Sequence, residues 1–174
     1  FGYGLSYTEF EQKMGELEEK DGQISVDVEV TNTGDVAGKD VVEVYYKPPY
    51  TNGGIEKSSA NLIEFAKTDL LQPGESQIVT VAFSIEDMAS YDENNAKAYV
   101  LEKGDYVISI NSDSHTVLDQ KTYTADADVV YEGENKRASD NTAATNVFED
   151  AKGDVTYLSL SLIHISEPTR LQLI

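Results

Sequence analysis

The sequence predicts an all-β chain, a two-layer antiparallel β-sandwich, on three observations. Apolar residues recur at every second position in segment after segment, the period of a strand with one face buried and one wet. Gly, Pro, Asn and Asp cluster between those segments at regular spacing, where turns need them. With 40% hydrophobic residues in 174, the chain has enough apolar material for one ordinary domain and a tail.

Taken in order, "FGYGLSYTEF" opens the chain and leads into a weaker strand around Phe10 to Leu17. "QISVDVEVTN" puts Ile24, Val26, Val28 and Val30 on one face, with Ser25, Asp27 and Glu29 on the other. "NTGDVAGKD" supplies a turn on Asn32, Gly34 and Gly38, expected there because positive φ costs glycine least. "VVEVYYK" is the next strand and stops at Pro48-Pro49, which donate nothing to a ladder. The loop "PPYTNGGIEKSSAN" precedes an extended "NLIEFAKTDLL" and a Pro73-Gly74 turn. "QIVTVAFSI" then turns Val79, Val81, Phe83 and Ile85 inward. A short helical turn is expected over "IEDMASYD", followed by "KAYVLE", by "YVISIN" with Tyr106, Ile108 and Ile110 on one face, and by "HTVLDQKTYTA". About seven or eight short strands so spaced predict a fibronectin type III or immunoglobulin-like sandwich. With no cysteine and no tryptophan, its core rests on aliphatic and tyrosine packing. From about Val129 alternation fades into an irregular, polar C-terminal linker.

Composition narrows the partners. A net charge of -19 repels phosphate backbones and anionic lipid surfaces, which argues against nucleic acid and membrane partners. No apolar run approaches the roughly 20 residues that span a bilayer. The lack of cysteine removes disulfides, thiolate metal sites and cysteine nucleophiles but leaves the compartment open. The chain starts at Phe1 rather than Met and reads as a fragment.

The opening "FGYGLSYTEF", then "VEVTNTGDVAGKDVVEVYYKPPY", "NLIEFAKTDLLQPGES" and "DMASYDENNAKAYVLEKGDYVISI", resemble in that order the fibronectin type III-like domain of glycoside hydrolase family 3 enzymes, and the ordered set covers nearly all of residues 1–123. The resemblance implies a junction from a missing α/β domain over residues 1–10 and a fibronectin type III-like domain over 8–128. "YEGENKRASDNTAATNVFEDAKGDVTYLS" is similar to the segment that, in a reversed-order subgroup, leads into a (β/α)8 barrel, so 129–159 is expected to be a linker. "LSLIHISEPTR" (Leu160 to Arg170) resembles the translation of a transposase-type sequencing adaptor, so 160–174 is expected to be an adaptor-derived tail.

The implied function is that of a non-catalytic accessory domain in a β-glucosidase-like enzyme that hydrolyses terminal β-linked sugars. Its partners would be the missing catalytic domains of the same chain and, in the intact enzyme, a β-linked saccharide. A retaining glycosidase needs two carboxyls about 5–5.5 Å apart, which in this family come from the barrel and α/β domains. No catalytic residue is therefore assigned, and the fragment alone is expected to be inactive. Ser139-Asp140 in "RASDN" superficially resembles the family's nucleophile motif but lacks its preceding hydrophobic strand and following Trp, so it reads as linker.

His115 alone, outside the tail, supplies neither a serine triad nor a zinc site. "YDENN" and "NSDS" carry oxygen ligands without the spacing of an EF-hand loop, and turn chemistry explains them as well. No cofactor or metal is expected. One candidate contact remains: in "YYKPPYTNGGIEK", Tyr50 is placed to present a flat sugar-stacking ring or to anchor against a neighbouring domain, the second being favoured. Tyr3, Tyr7, Tyr45 and Tyr46 are expected to be packing residues. The alternative function is a stand-alone carbohydrate- or protein-binding module.

Overall fold

The computed structural model describes residues 2–155 and 157–162. One antiparallel sheet joins β1 (Phe10–Lys20), β2 (Gln23–Asn32) and β5 (Ser76–Ser84) in the order β1-β2-β5. A second joins β3 (Val41–Lys47), β4 (Asn61–Lys67), β8 (Gly104–Asp113) and β9 (Thr116–Ala125) in the order β4-β3-β8-β9. These seven strands bury their inner faces together. Ile24, Val26, Val28, Val30, Val81 and Phe83 from the first sheet meet Val42, Val44, Tyr106, Ile108 and Ile110 from the second. A small third sheet, β10-β7-β6, takes the count past the seven or eight strands expected. It is built from β6 (Ser90–Asp92), β7 (Ala98–Leu101) and β10 (Val129–Tyr131). The helical turn expected after Phe83 is a single 3-10 turn, Ile85–Met88, with Ile85 and Met88 buried.

The weakness of the first strand in the sequence has a local cause. In β1, Phe10, Gln12 and Met14 turn inward at period two, but the pairing then skips from Met14–Val28 to Leu17–Val26. Gly15 and Glu16 oppose Asp27 alone, a β-bulge that shifts the parity by one and keeps Leu17 against the core. Glycine fits at the bulge because a Cβ on Gly15 would lie 2.9 Å from the Asp27 carbonyl oxygen.

The turn after β2 corrects the expectation about its glycines. Gly34 and Gly38 do not take positive φ; they are small because chain passes close by. A Cβ on Gly34 would meet Thr8 Oγ1 at 2.2 Å and the Glu9 amide nitrogen at 2.7 Å, and one on Gly38 would meet Thr8 Cγ2 at 2.8 Å. Asn32 is more than a turn former. Fully buried, it donates from Nδ2 to the carbonyls of Val36 (2.8 Å) and Leu71 (2.9 Å). Its Oδ1 accepts from the Thr8 hydroxyl (2.8 Å) and the Gly34 amide (3.1 Å). One side chain thus ties the entry to β1, the turn after β2 and the approach to β5, with its hydrogen-bonding capacity filled.

Without a disulfide or tryptophan, the second sheet is locked by a tyrosine corner. Tyr106, at the start of β8 and 1% exposed, donates its hydroxyl to the Glu102 carbonyl four residues upstream (3.0 Å). Burial, and next the nearby Glu102 charge, push its phenol above the usual tyrosine range.

At the start of the polar C-terminal segment, Val129–Tyr131 pairs with β7. Beyond it the chain stays against the small sheet. The Arg137 guanidinium lies 3.6 Å from the Tyr99 ring centroid while holding both Asp140 carboxylate oxygens (2.9 and 3.0 Å). The Ala138 amide donates to Glu86 (2.8 Å), and the Asn146 amide to the Tyr91 hydroxyl (2.8 Å). Asp140, in the stretch resembling a nucleophile motif, is the acceptor of this clamp. Leu160–Leu162 form one 3-10 turn, while the rest of the expected adaptor-derived tail, 163–174, lies outside the described residues.

Candidate functional site

The loop carrying Tyr50 is anchored from below. Pro48 is buried, and Pro49 covers the start of β8, where a Cβ on Gly104 would lie 3.1 Å from Pro49 Cβ. Ile55 and Lys57 point inward through an irregular segment. The Lys57 ammonium, its side chain 2% exposed, donates to the Pro49 carbonyl (2.7 Å) and pairs with Glu102. Because Glu102 also supplies the carbonyl of the tyrosine corner, loop base and sheet corner share a residue. The tip Thr51–Gly54 is exposed and closes through a bond from the Gly54 amide to the Thr51 carbonyl (2.9 Å), with Gly53 at φ +78°.

Tyr50 is not at that tip. Its ring is half-buried, and its hydroxyl lies 3.4 Å from both Glu56 carboxylate oxygens and 2.7 Å from Ser161 Oγ. The Leu160 amide also donates to Glu56 (2.7 Å). Bonds from Ser159 first, then from Leu160, hold the Glu56 carboxyl below its ordinary range. Part of the cover over Tyr50 thus comes from residues 160–162.

The other tyrosines divide. Tyr45 and Tyr46 are buried, as a packing role requires. Tyr45 faces away from the core and donates to Glu43 (3.0 Å); burial, then this bond, push its phenol up to about 12. Tyr3 and Tyr7, expected to pack, are instead 80% and 99% exposed, with Leu5 between them at 92%. They find no partner among the described residues because the opening segment forms no strand.

The acidic loops are used up in turn chemistry. Asp92 accepts from the amides of Asn94, Asn95 and Ala96, each at 3.0 Å. Burial raises its pKa, yet these bonds outweigh burial and hold it below normal. Asp113 accepts from the amides of His115 (2.8 Å) and Thr116 (3.0 Å) and is likewise lowered, the His115 bond contributing most. His115 is exposed. Among the described residues, no group of three His, Asp or Glu side chains is arranged to hold a metal ion. Glu56, Asp92, Asp113 and Asp140 are all displaced downward, the opposite of what a general acid near neutral pH requires.

Residues 40–114 match the fibronectin type III-like domain family. The β-glucosidase of Ruminococcus albus is 34% identical over 98% of this chain and 18% of that protein. β-Glucosidase A of Butyrivibrio fibrisolvens is 36% identical over 92% of the chain and 21% of its own length. The chain thus spans about a fifth of these relatives. Among solved structures, β-glucosidase 3B of Thermotoga neapolitana in complex with α-D-glucose superposes with a TM-score of 0.68 at 34% identity, over 76% of this chain and 18% of that one. The Kluyveromyces marxianus β-glucosidase in complex with glucose gives 0.69 at 31%, over 75% and 16%. Two facing sheets, a tyrosine corner and these matches identify the chain as carrying a fibronectin type III-like domain of the kind found in glycoside hydrolase family 3 β-glucosidases.

Proposed function

We propose that this chain is a non-catalytic accessory domain of a longer β-glucosidase, one that hydrolyses terminal β-linked sugars with catalytic groups supplied by the rest of that protein. The observation that carries this reading is the mismatch of lengths: nearly the whole chain aligns with β-glucosidases, yet it spans only about a fifth of them. The domain's task is then to hold its neighbours in register, since catalysis tolerates little misplacement of the reacting groups. Residues 1–10 are its junction with an α/β domain, 8–128 the domain itself, and 129–159 the path toward a barrel. Tyr50 is an anchor against a neighbour rather than a sugar-stacking surface; its place below the exposed Thr51–Gly54 tip, beside the buried Pro48 and Lys57, supports that role. The adaptor origin of 160–174 also remains a proposal. The alignment with the Ruminococcus albus protein covers all but about 2% of the chain and so runs into those residues, and a read through the gene beyond Ser159 separates the two readings.

The test is turnover of an aryl β-glucoside. Purified residues 1–159 are expected to show none, and the complete gene product to show it. Activity in the fragment alone would sink the proposal.

A further inference from the structure

The two outer faces of the sandwich differ in a way that its own core does not explain. On the β1-β2-β5 sheet, the cross-strand rows read Glu11–Thr31–Ser76, Lys13–Glu29–Ile78 and Glu18–Ser25–Ala82. Hydroxyls and charges there satisfy one another, as between Thr31 and Ser76 (2.7 Å) and from Thr80 to Asp27 (2.5 Å). Apart from Ile78, which is 64% exposed, that is a face built for water.

The β4-β3-β8-β9 sheet presents something else. One row runs Phe65–Glu43–Asn111–Val117, and the next Leu62–Tyr45–Ser109–Gln120. Their apolar members stand out, Phe65 at 62%, Val117 at 50% and Leu62 at 39% exposed. Between them lies a polar seam in which Tyr45, Ser109 and Asn111 are almost completely buried. Within it Asn111 Oδ1 has no hydrogen-bond partner, a cost that a folded chain ordinarily avoids. At one end of the face, Leu5 of the opening segment lines a cleft together with Glu43, Ser112 and Leu118. Tyr3 and Tyr7, nearly bare, flank that residue.

We propose that this outer face, continued by Tyr3, Leu5 and Tyr7, is the surface on which the remainder of the β-glucosidase chain docks. The inference rests on the accessory-domain reading. The occupant it requires is an apolar patch that covers Leu62, Phe65 and Val117. About four-fifths of the length of the matched β-glucosidases lies outside this chain, which supplies such an occupant in cis. The β1-β2-β5 face remains in solvent.

Hydroxyl-radical footprinting of this chain alone and of the complete gene product tests the assignment. Oxidation of Leu62, Phe65 and Val117 is expected to slow by about tenfold in the complete product, with Ile78 unchanged, as for side chains buried in an interface core. A second measurement does not depend on the isolated chain. In the complete product, Phe65→Lys is expected to shorten the thermal half-life of aryl β-glucosidase activity by about tenfold, and Ile78→Lys to leave it unchanged. If the complete product is active but Ile78 is the protected residue, or the three apolar residues react equally in both, the docking assignment is overturned and the accessory reading survives. Equal effects of the two substitutions also overturn it. If the complete gene product hydrolyses no aryl β-glucoside, the accessory reading falls and takes the docking assignment with it.

Discussion

Replacing Asn32 by leucine probes the polar knot at the head of the sandwich while keeping side-chain volume similar. Four hydrogen bonds vanish, and at about 1 kcal/mol each the simplest estimate is about 4 kcal/mol. The structure reduces that figure. The Leu71 carbonyl keeps the Gly38 amide (3.0 Å), and the Gly34 amide keeps the Glu9 carbonyl (3.2 Å). Val36 is half exposed, so water can reach its carbonyl. Thr8, 9% exposed, loses its acceptor with little access to a substitute. A loss of about 3 kcal/mol follows, and with a slope of about 1.5 kcal/mol/M the urea midpoint falls by about 2 M. Tyrosine fluorescence and far-UV circular dichroism follow the transition, there being no tryptophan. Asn32→Asp sharpens the test. Its carboxylate faces the Val36 and Leu71 carbonyls without a proton to offer them, so its folded-state pKa is raised. The variant's stability is therefore flat above that pKa and rises as pH falls from it toward the ordinary aspartate value. A leucine variant within 0.5 kcal/mol of wild type, in a measurement good to about that margin, would refute the reasoning.

Other expectations follow from single contacts. Gly34→Ala is expected to cost about 2 kcal/mol, because its Cβ meets backbone at Glu9; Gly53→Ala, with open space but φ +78°, should cost only about 1 kcal/mol, and parallel thermal melts rank the two. Removing the Lys57 ammonium with Lys57→Met should destabilise by about 2 kcal/mol, less than for a fully buried pair because Glu102 is about one-third exposed, and amide exchange in the loop from Pro48 to Ala60 should quicken well before the rest of the sheet. Asp92 is held below its ordinary pKa, so its contribution is full above the unfolded value near 3.8 and fades as pH falls through the folded value. The stability gap between wild type and Asp92→Asn should therefore be constant from pH 7 to about 5 and close below about pH 4; a gap that widens on acidification would contradict the three amide bonds.

What the sequence reveals and what it hides both have physical causes. Ile24 to Val30 and Tyr106 to Ile110 alternate without interruption, so their facing is legible from the chain alone. β1 is blurred because the bulge at Gly15-Glu16 reverses the parity midway. β10 is three residues long and pairs with a strand far away in sequence, which no local pattern can announce. Asn32, Gly34 and Gly38 read as turn residues, and their true duties, a buried knot and two close passages, depend on Thr8 and Glu9 arriving from elsewhere. Tyr50 shows the limit of local reading: a Pro-Pro-Tyr before two glycines suggests a loop tip, whereas Lys57 and Glu102 draw the loop base down and leave the tip to Thr51–Gly54.

The clamp of Arg137 on Tyr99 and Asp140 bears on distances well outside the sandwich. A free polar segment from Tyr131 to Ser159 would let its ends wander over roughly 30 Å. Pinned at Arg137, at Asn146 and at the Lys152–Glu93 pair, no unattached stretch is long enough to stray more than roughly 15 Å. Under the accessory-domain proposal, the domain to which 129–159 leads is then carried on a short leash rather than a slack one. Its local concentration near the sheet is correspondingly raised, and cutting the Arg137 clamp alone would lengthen the leash without touching a single core residue.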